Sequence, residues 1–228
     1  MIQEFKKCGY EIVEFDEFAD IYVVNTCTVT NMADRKSRQM IRKVKEINPN
    51  AILVAVGCYA QVAKEDLEKI PEIDLILGTN EKKNIVSHVE KILNEEKQTS
   101  IADVMHCEDY ADFGDVTKKK KTRAVIKVQD GCDRFCSYCI IPFARGHIRS
   151  RRPESVISEI TKIAEKGIKE VVITGIHLAS YGRDFAKREK HSREYRLIDL
   201  LEDINRIDGI QRIRLRFVGA NINYRRIC

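Results

Sequence analysis

The sequence lacks an apolar run long enough to cross a membrane, and no basic segment followed by an apolar one stands at its amino terminus. These absences argue against a membrane span and a secretory leader, so we expect a cytoplasmic protein with no membrane partner. The eight cysteines also lack the regular pairing of a small disulfide-stapled domain. A reducing compartment, in which several thiols serve as metal ligands, fits this pattern better than a disulfide framework.

Positive charge is concentrated in one part of the chain. The 228 residues, 43% of them hydrophobic, allow one or two domains with their own cores, and the net charge is +5. From Lys118 to Arg152, eleven Lys or Arg residues stand against two Asp, which leaves the rest of the chain at −4. This concentration favours a polyanionic partner such as RNA, because phosphate contacts release counterions. For the four lysines 118–121 alone, a solvated linker without a partner is an equally good interpretation.

Three cysteines lie close together in residues 131–146, GCDRFCSYCIIPFARG, after a β-branched segment. Cys132, Cys136 and Cys139 have the spacing Cys-x3-Cys-x2-Cys, so a looped backbone could bring three thiolates to one soft-metal centre. Iron–sulfur clusters usually have four cysteine ligands, and three would leave one iron open to a small molecule. Zinc would require a fourth ligand, for which His147 is near enough, and a disulfide with a spare thiol would require an oxidising compartment. No second Cys-x2-Cys pair follows Cys139, which favours a cluster over a zinc ribbon.

The first hundred residues alternate between predicted strands and helices, which indicates a parallel sheet with helices on both faces. After a short predicted strand at 11–15, a second strand runs into Cys27, and a third, fully apolar strand ends at Gly57 and Cys58. In such a sheet the ligand site lies at the carboxyl ends of the strands, and the usual crossover would bring Cys27 and Cys58 to one rim. Lone cysteines are usually small buried thiols, but both residues are expected in loops outside the apolar interior, so we interpret them as ligands.

A second series of strands and helices is predicted from residue 122 onwards. It indicates β/α repetition of the barrel type, in which chemistry collects at the carboxyl-terminal rim of the strands. The glycine-bounded loop 175–182, GIHLASYG, lies at that rim. An acidic stretch followed by the four lysines separates the two series. We therefore expect an amino-terminal domain at 1–102, a linker at 103–119 and a second domain at 120–228.

The string CDRFCSYCIIPFARG and the following Arg149-Ser150-Arg151 resemble the radical S-adenosylmethionine (SAM) signature of the methylthiotransferase family. The strings NTCTVTNMADRKSRQ and GCYAQ resemble the amino-terminal domain of that family, in particular the branch that modifies N6-threonylcarbamoyladenosine beside the tRNA anticodon. The resemblance extends from about Lys6 to about Arg214. It implies an α/β fold: a flavodoxin- or Rossmann-like parallel sheet without its first strand, then an incomplete (β/α)6-type radical SAM barrel. The chain is therefore expected to be short at both ends.

The resemblance implies that the chain is a tRNA methylthiotransferase. Cys132, Cys136 and Cys139 would hold a [4Fe-4S] cluster whose open iron binds SAM, and a 5′-deoxyadenosyl radical would abstract hydrogen from C2 of the adenine. Sulfur would come from a second cluster on Cys27 and Cys58, and a second SAM would supply the methyl group. The expected partners are tRNA, SAM and a flavodoxin- or ferredoxin-type electron donor.

Further residues are expected around the cofactors. The ring of Tyr138 can cover a ligand at the open iron, and Gly175 and His177 lie in a loop that resembles the one contacting the methionine part of SAM. Three arginines are candidates for contacts with phosphate or the ligand carboxylate: Arg145, Arg149 and Arg151.

The sequence departs from the family pattern in two places. The family's first cluster cysteine, in a Gly-Cys-x-x-Asn segment, has no counterpart, and Cys8 comes too late to replace it, so two of three ligands for the second cluster remain. The tail after Arg214 does not match the family, and we expect one well-bound cluster with little turnover. The alternatives are a methylthiotransferase for an aspartate of a ribosomal protein, and an inactive fragment or zinc- or RNA-binding module.

Overall fold

The computed structural model describes residues 1–27, 31–93, 98–107, 110, 122–185 and 195–216. The chain forms two compact units, one of residues 1–106 with 138–145, the other of residues 107–137 with 146–228. It therefore passes into the first unit within the cysteine motif and leaves it again after Arg145. The domain limits expected from composition remain predictions, and the four lysines 118–121 lie outside the described residues.

The first unit is built on a four-stranded parallel sheet. Its strands are β1 (Ile21–Thr26), β2 (Ile52–Gly57), β3 (Leu75–Leu77) and β4 (Gln98–Ser100), in that spatial order. Side chains of β2 alternate between two apolar clusters: Leu53 and Ala55 belong to one, Val54 and Val56 to the other. Because both faces of β2 are covered, the strand is apolar along its whole length, as parallel strands usually are.

Helices accompany these strands in the first unit. They are α1 (Ile2–Lys7), α2 (Asn31–Ile47), α3 (Cys58–Val62), α4 (Lys64–Glu68) and α5 (Ile85–Ile92), and α6 (Ile141–Arg145) belongs to the same unit. Ile41 and Val44 form part of the buried side of α2. The predicted strand at 11–15 is wrong: the segment is irregular, and Ile12 and Val13 are 41% and 40% exposed. A short apolar run without a paired neighbour does not form a strand.

The second unit contains a three-stranded parallel sheet and a short antiparallel ribbon. The sheet has the order β5 (Arg123–Lys127), β8 (Glu170–Thr174), β9 (Arg212–Arg216), and the ribbon pairs β6 (Gln129–Asp130) with β7 (Arg149–Ser150). Helices α7 (Pro153–Glu165) and α8 (Leu197–Asn205) supply Ile160 and Leu200 to a core that includes Ile126 and Ile173 from the sheet. Pro153 stands in the first turn of α7, where its missing N–H leaves no helical bond unmade.

The prediction of an α/β fold with parallel sheets is confirmed. Cys27 and Cys58 directly follow the parallel strands β1 and β2, and Cys132 follows β6, the short strand after β5. None of the helices in the described ranges combines the length and apolar character needed to cross a bilayer.

Candidate functional site

Cys27 and Cys58 follow the ends of two adjacent strands. In the parallel pairing of β1 with β2, Thr26 is the register partner of Gly57, so the next residue on each strand is a cysteine. Cys27 is exposed, but Cys58 is the first residue of α3 and only 6% exposed. The expectation that neither thiol is buried is therefore wrong for Cys58, because α3 begins immediately after β2 and leaves no exposed loop there.

Gly57 allows the two strand ends to approach each other. Its φ is +122°, and a Cβ atom at this position would overlap the carbonyl oxygen of Thr26. The Thr26 hydroxyl donates to the carbonyl of Val56 at 3.0 Å and accepts from the backbone N–H of Ala60 at 3.2 Å. The strand end that carries Cys27 is thus bonded to both β2 and α3.

The loop with the other three cysteines is closed at its base. The N–H of Cys132 donates to the carbonyl of Gly146 at 3.0 Å, just beyond the pairing of β6 with β7. Gly131 has φ +71°, and a Cβ atom there would overlap the carbonyl oxygen of His147. Asp133 reinforces this closure, because its carboxylate accepts from the N–H of Ile148 at 3.1 Å and lies 2.8 Å from Nδ1 of His147.

The three thiols of this loop are free and at least partly accessible. Cys136 is exposed, while Cys132 and Cys139 are half-buried. Cys139 belongs to the first unit and the other two to the second. Among the described residues, no group of three or more Cys, His, Asp or Glu side chains lies close enough to hold a metal ion. The donor chemistry here, three accessible thiols on a loop closed at its base, fits an iron–sulfur cluster.

Gln129 joins the cysteine loop to the loop GIHLASYG. Its buried side chain donates from Nε2 to the carbonyl of Gly131 at 2.7 Å, and its Oε1 accepts from the N–H groups of Ile176 and His177 at 2.9 and 2.8 Å. A Cβ atom at Gly175 would lie 2.8 Å from the same Oε1. Gly175 is therefore required for a close approach to Gln129, and not for a left-handed turn.

His177 is buried beside two cationic side chains. The residue is 9% exposed, its Nδ1 lies 2.8 Å from Oγ of Ser180, and its Nε2 is a buried atom without a hydrogen-bond partner in the described part of the chain. Burial first, then the positive charges of Arg134 and Arg183, lower the pKa of His177. The lowered pKa favours the neutral ring, and Nε2 is a candidate hydrogen-bonding atom for a ligand that reaches this buried position.

The three predicted anion-binding arginines have different surroundings. Arg151 is buried, forms an ion pair with Glu159 and donates from Nε to Oγ of Ser155 at 3.1 Å. Arg149 is also buried, at 3% exposure. The anion that Arg151 contacts is therefore a carboxylate of the same chain, which differs from the phosphate or ligand carboxylate expected. Arg145 is half-buried, and its Nε lies 3.1 Å from Sγ of Cys58.

Tyr138 is 90% exposed, so in this structure its ring covers no neighbouring group.

Sequence reasoning missed Gln129, Asp133, Arg134 and Arg183. Gln129 could have been identified from the sequence, because it is a polar residue directly after a β-branched strand and directly before the cysteine motif. No sequence pattern identifies Arg183, since it approaches His177 only through the folding of the loop after β8.

Comparison with known proteins gives matches over both units. Residues 1–78 match the model of Uncharacterized protein family UPF0004, and residues 126–227 match that of the Radical SAM superfamily. The chain is 38% identical over 222 residues to "Threonylcarbamoyladenosine tRNA methylthiotransferase MtaB" of Bacillus subtilis, covering 96% of this chain and 48% of that protein. It is 39% identical over 217 residues to "Ribosomal protein uS12 methylthiotransferase RimO" of Desulfitobacterium hafniense, covering 91% of this chain and 46% of that protein.

A solved structure shares the fold. The radical S-adenosylmethionine methyltransferase TsrM from Kitasatospora setae, with cobalamin and a [4Fe-4S] cluster bound, superimposes with a TM-score of 0.50 at 16% identity, over 92% of this chain and 50% of that chain. The chain spans about half the length of the curated relatives it matches.

Proposed function

Since the chain belongs to the radical SAM methylthiotransferase family, we propose that it acts in the methylthiolation of C2 of N6-threonylcarbamoyladenosine beside the tRNA anticodon. The observation that supports this proposal is the position of the cysteines in both units. Cys27 and Cys58 follow the paired ends of β1 and β2, and Cys132 follows the β5–β6 segment at the carboxyl end of a second parallel sheet. These are the places where open α/β sheets and β/α barrels bind their ligands.

Under this proposal the cysteines serve as cluster ligands. Cys132, Cys136 and Cys139 would hold a [4Fe-4S] cluster, and Cys27 and Cys58 would contribute thiolates to a second one. When bound, the clusters supply the electron that cleaves SAM and the sulfur that is transferred, with reducing equivalents from a flavodoxin- or ferredoxin-type protein. Gly131, Gly146 and Asp133 hold the base of the first loop in position.

The chain's other residues would orient SAM. A neutral His177 offers a hydrogen bond at Nε2 without adding positive charge close to a sulfonium. Arg134 and Arg183 supply positive charge for a carboxylate. Gln129 fixes the backbone of the His177 loop relative to the cysteine loop, so both parts of the SAM site move together.

The charge of the chain favours tRNA as the substrate. The chain has a net charge of +5, with the positive excess concentrated between Lys118 and Arg152. Sequence identity does not separate the two substrate classes, since the tRNA-modifying relative and the uS12-modifying relative are 38% and 39% identical. A basic stretch of sequence favours a polyanionic partner, because phosphate contacts release counterions, and this makes tRNA the better candidate.

Metal analysis after anaerobic purification tests the first part of the proposal. We expect brown protein whose iron and acid-labile sulfide fall strongly in Cys132→Ala, Cys136→Ala and Cys139→Ala, and whose reduced electron paramagnetic resonance signal changes on addition of SAM. Cys107→Ala is the matched control, because Cys107 is a half-buried cysteine outside both proposed sets. Colourless protein with stoichiometric zinc would instead identify a zinc module.

A substrate assay tests the second part. The reduced protein is incubated with SAM and either tRNA that contains N6-threonylcarbamoyladenosine or ribosomal protein uS12, and the products are measured by mass spectrometry. We expect the methylthio group on the tRNA nucleoside, with tRNA affinity that decreases steeply as salt increases. Modification of uS12 alone would replace tRNA with the ribosomal protein as the substrate.

A further inference from the structure

Arg145 contacts a cysteine that is far away in the sequence. Its Nε lies 3.1 Å from Sγ of Cys58, within the distance of a hydrogen bond to sulfur. Both residues belong to the first unit. The donor is a guanidinium N–H, so the contact is charge-assisted when the acceptor is a thiolate.

The backbone that carries Arg145 is fixed by a chain of hydrogen bonds. Oγ1 of Thr79 donates to the carbonyl of Ala144 at 3.1 Å, and Oε1 of Gln61 accepts from the N–H of Thr79 at 3.0 Å. Nε2 of Gln61 donates in turn to the carbonyl of Ala102 at 2.9 Å. Because Gln61 lies on α3, the helix that begins with Cys58, the same short helix orients both partners of the contact.

Burial strengthens the interaction at Cys58. Cys58 is 6% exposed, so water competes weakly with the guanidinium for its sulfur. Hydrogen bonds to ligating sulfurs are one of the means by which proteins tune iron–sulfur centres, and second-shell partners orient metal ligands generally. A guanidinium placed on Cys58 can therefore act on any metal centre that this sulfur ligates.

We propose that Arg145 is a positioning residue for the second metal centre: its Nε–H donates to the Cys58 sulfur, orients it as a ligand and withdraws electron density from it. This inference rests on the proposed function, in which Cys58 is a ligand. It gives Arg145 a role on a metal ligand, in place of the phosphate or carboxylate contact expected from the sequence.

Cobalt(II) is a suitable probe, because thiolate ligands give it charge-transfer absorption whose energy reports on the sulfur. The parent protein carries Cys132→Ser, Cys136→Ser and Cys139→Ser, so that the loop cysteines do not contribute. We compare it with Arg145→Met, Arg145→Lys and Cys58→Ala versions. Arg42→Met is the matched control, since Arg42 is an exposed arginine on α2.

We expect Arg145→Met to move the charge-transfer band to longer wavelength and to weaken cobalt binding about 10- to 100-fold, the usual effect of losing a second-shell partner. Arg145→Lys keeps the charge but lacks the fixed planar Nε donor, so it should still show the band shift. Arg42→Met should match the parent in both the position of the charge-transfer band and the affinity for cobalt. Thermal melting of each variant checks that α6 remains packed, and a merely structural role would not move the band.

The possible failures are distinguishable. If Cys58→Ala leaves the cobalt spectrum unchanged, Cys58 is not a ligand, and both the second centre and the role of Arg145 are overturned. If Cys58→Ala removes the band but Arg145→Met does not shift it, only the role of Arg145 is overturned. Loss of tRNA affinity in Arg145→Met with an unchanged band would identify Arg145 as a nucleic-acid contact instead.

Discussion

The two cysteine regions are positioned by different kinds of contact. Cys27 and Cys58 come from separate strands and are brought side by side by the register of β1 on β2. Cys132 and Cys136 lie in one loop, whose ends are joined by the Cys132–Gly146 hydrogen bond. The first region depends on a sheet and the second on local loop closure, so substitutions that disrupt one should leave the other functional.

The largest effect, on the free energy of unfolding, is expected in the second unit, at the buried ion pair of Arg151 with Glu159. Glu159→Ala leaves a buried guanidinium without its carboxylate, which should lower the free energy of unfolding by about 3–5 kcal/mol. Chemical denaturation measures this loss. Asp66→Ala in the first unit is the matched control, because it breaks an exposed pair with Lys69 and should cost at most about 1 kcal/mol.

A double variant sharpens this prediction. Arg151→Met combined with Glu159→Leu removes both charges and should recover most of the stability, since a buried pair can be replaced by apolar groups at little cost. A single Glu159→Ala variant of unchanged stability would contradict the structural role of Arg151.

The next effect is expected at the base of the cysteine loop. Gly131→Ala places a methyl group against the carbonyl of His147. The alanine must also adopt the left-handed backbone conformation of Gly131, which alone costs about 1–2 kcal/mol. We expect the loop to open and the iron held by its cysteines to be lost, as measured by iron and sulfide analysis. Gly167→Ala has a similar φ of +81° with open space around it, and should cost about 1–2 kcal/mol without loss of iron.

The next effect, comparable in stability but limited to metal binding by two cysteines, is expected at the paired strand ends. Gly57→Ala would push the end of β2 away from Thr26 and cost about 1–3 kcal/mol. It should weaken cobalt binding at Cys27 and Cys58 while the iron of the cysteine loop is retained. The control is Gly9→Ala, whose Cβ atom would meet nothing within 4 Å. If Gly57→Ala removed the loop iron as well, the two regions would not be independent.

The smallest effect concerns the pH dependence of stability at His177. The pKa of His177 is lowered from 6.5 in the folded protein, so the unfolded chain takes up the proton first as the pH falls. The His177 contribution to the free energy of unfolding should therefore be fully present above about pH 6.5 and should decrease as the pH falls below it. An NMR titration of the imidazole, together with unfolding curves at about pH 7.5 and about pH 5.5, measures this, and His177→Gln should remove the His177 part of the dependence. A His177 pKa above 6.5 would contradict the burial argument.

The sequence by itself determined the fold class, the family and the cysteine motif. Apolar strands that alternate with amphipathic helices can bury both faces only as a parallel sheet, and closely spaced cysteines in one loop are recognisable without knowledge of the fold. It also indicated that Cys27 and Cys58 follow strand ends. The strand predicted at 11–15 was wrong, because propensity does not reveal whether a segment finds a partner in a sheet.

Only the tertiary structure decided which groups these residues contact. The register of β1 with β2, the ion pair of Arg151 and the contact of Arg145 with Cys58 all join segments that are separate in the chain. An arginine in a sequence shows its charge but not its partner. Burial decides the partner, since a buried guanidinium must be paired within the protein, and burial is a property of the packed chain.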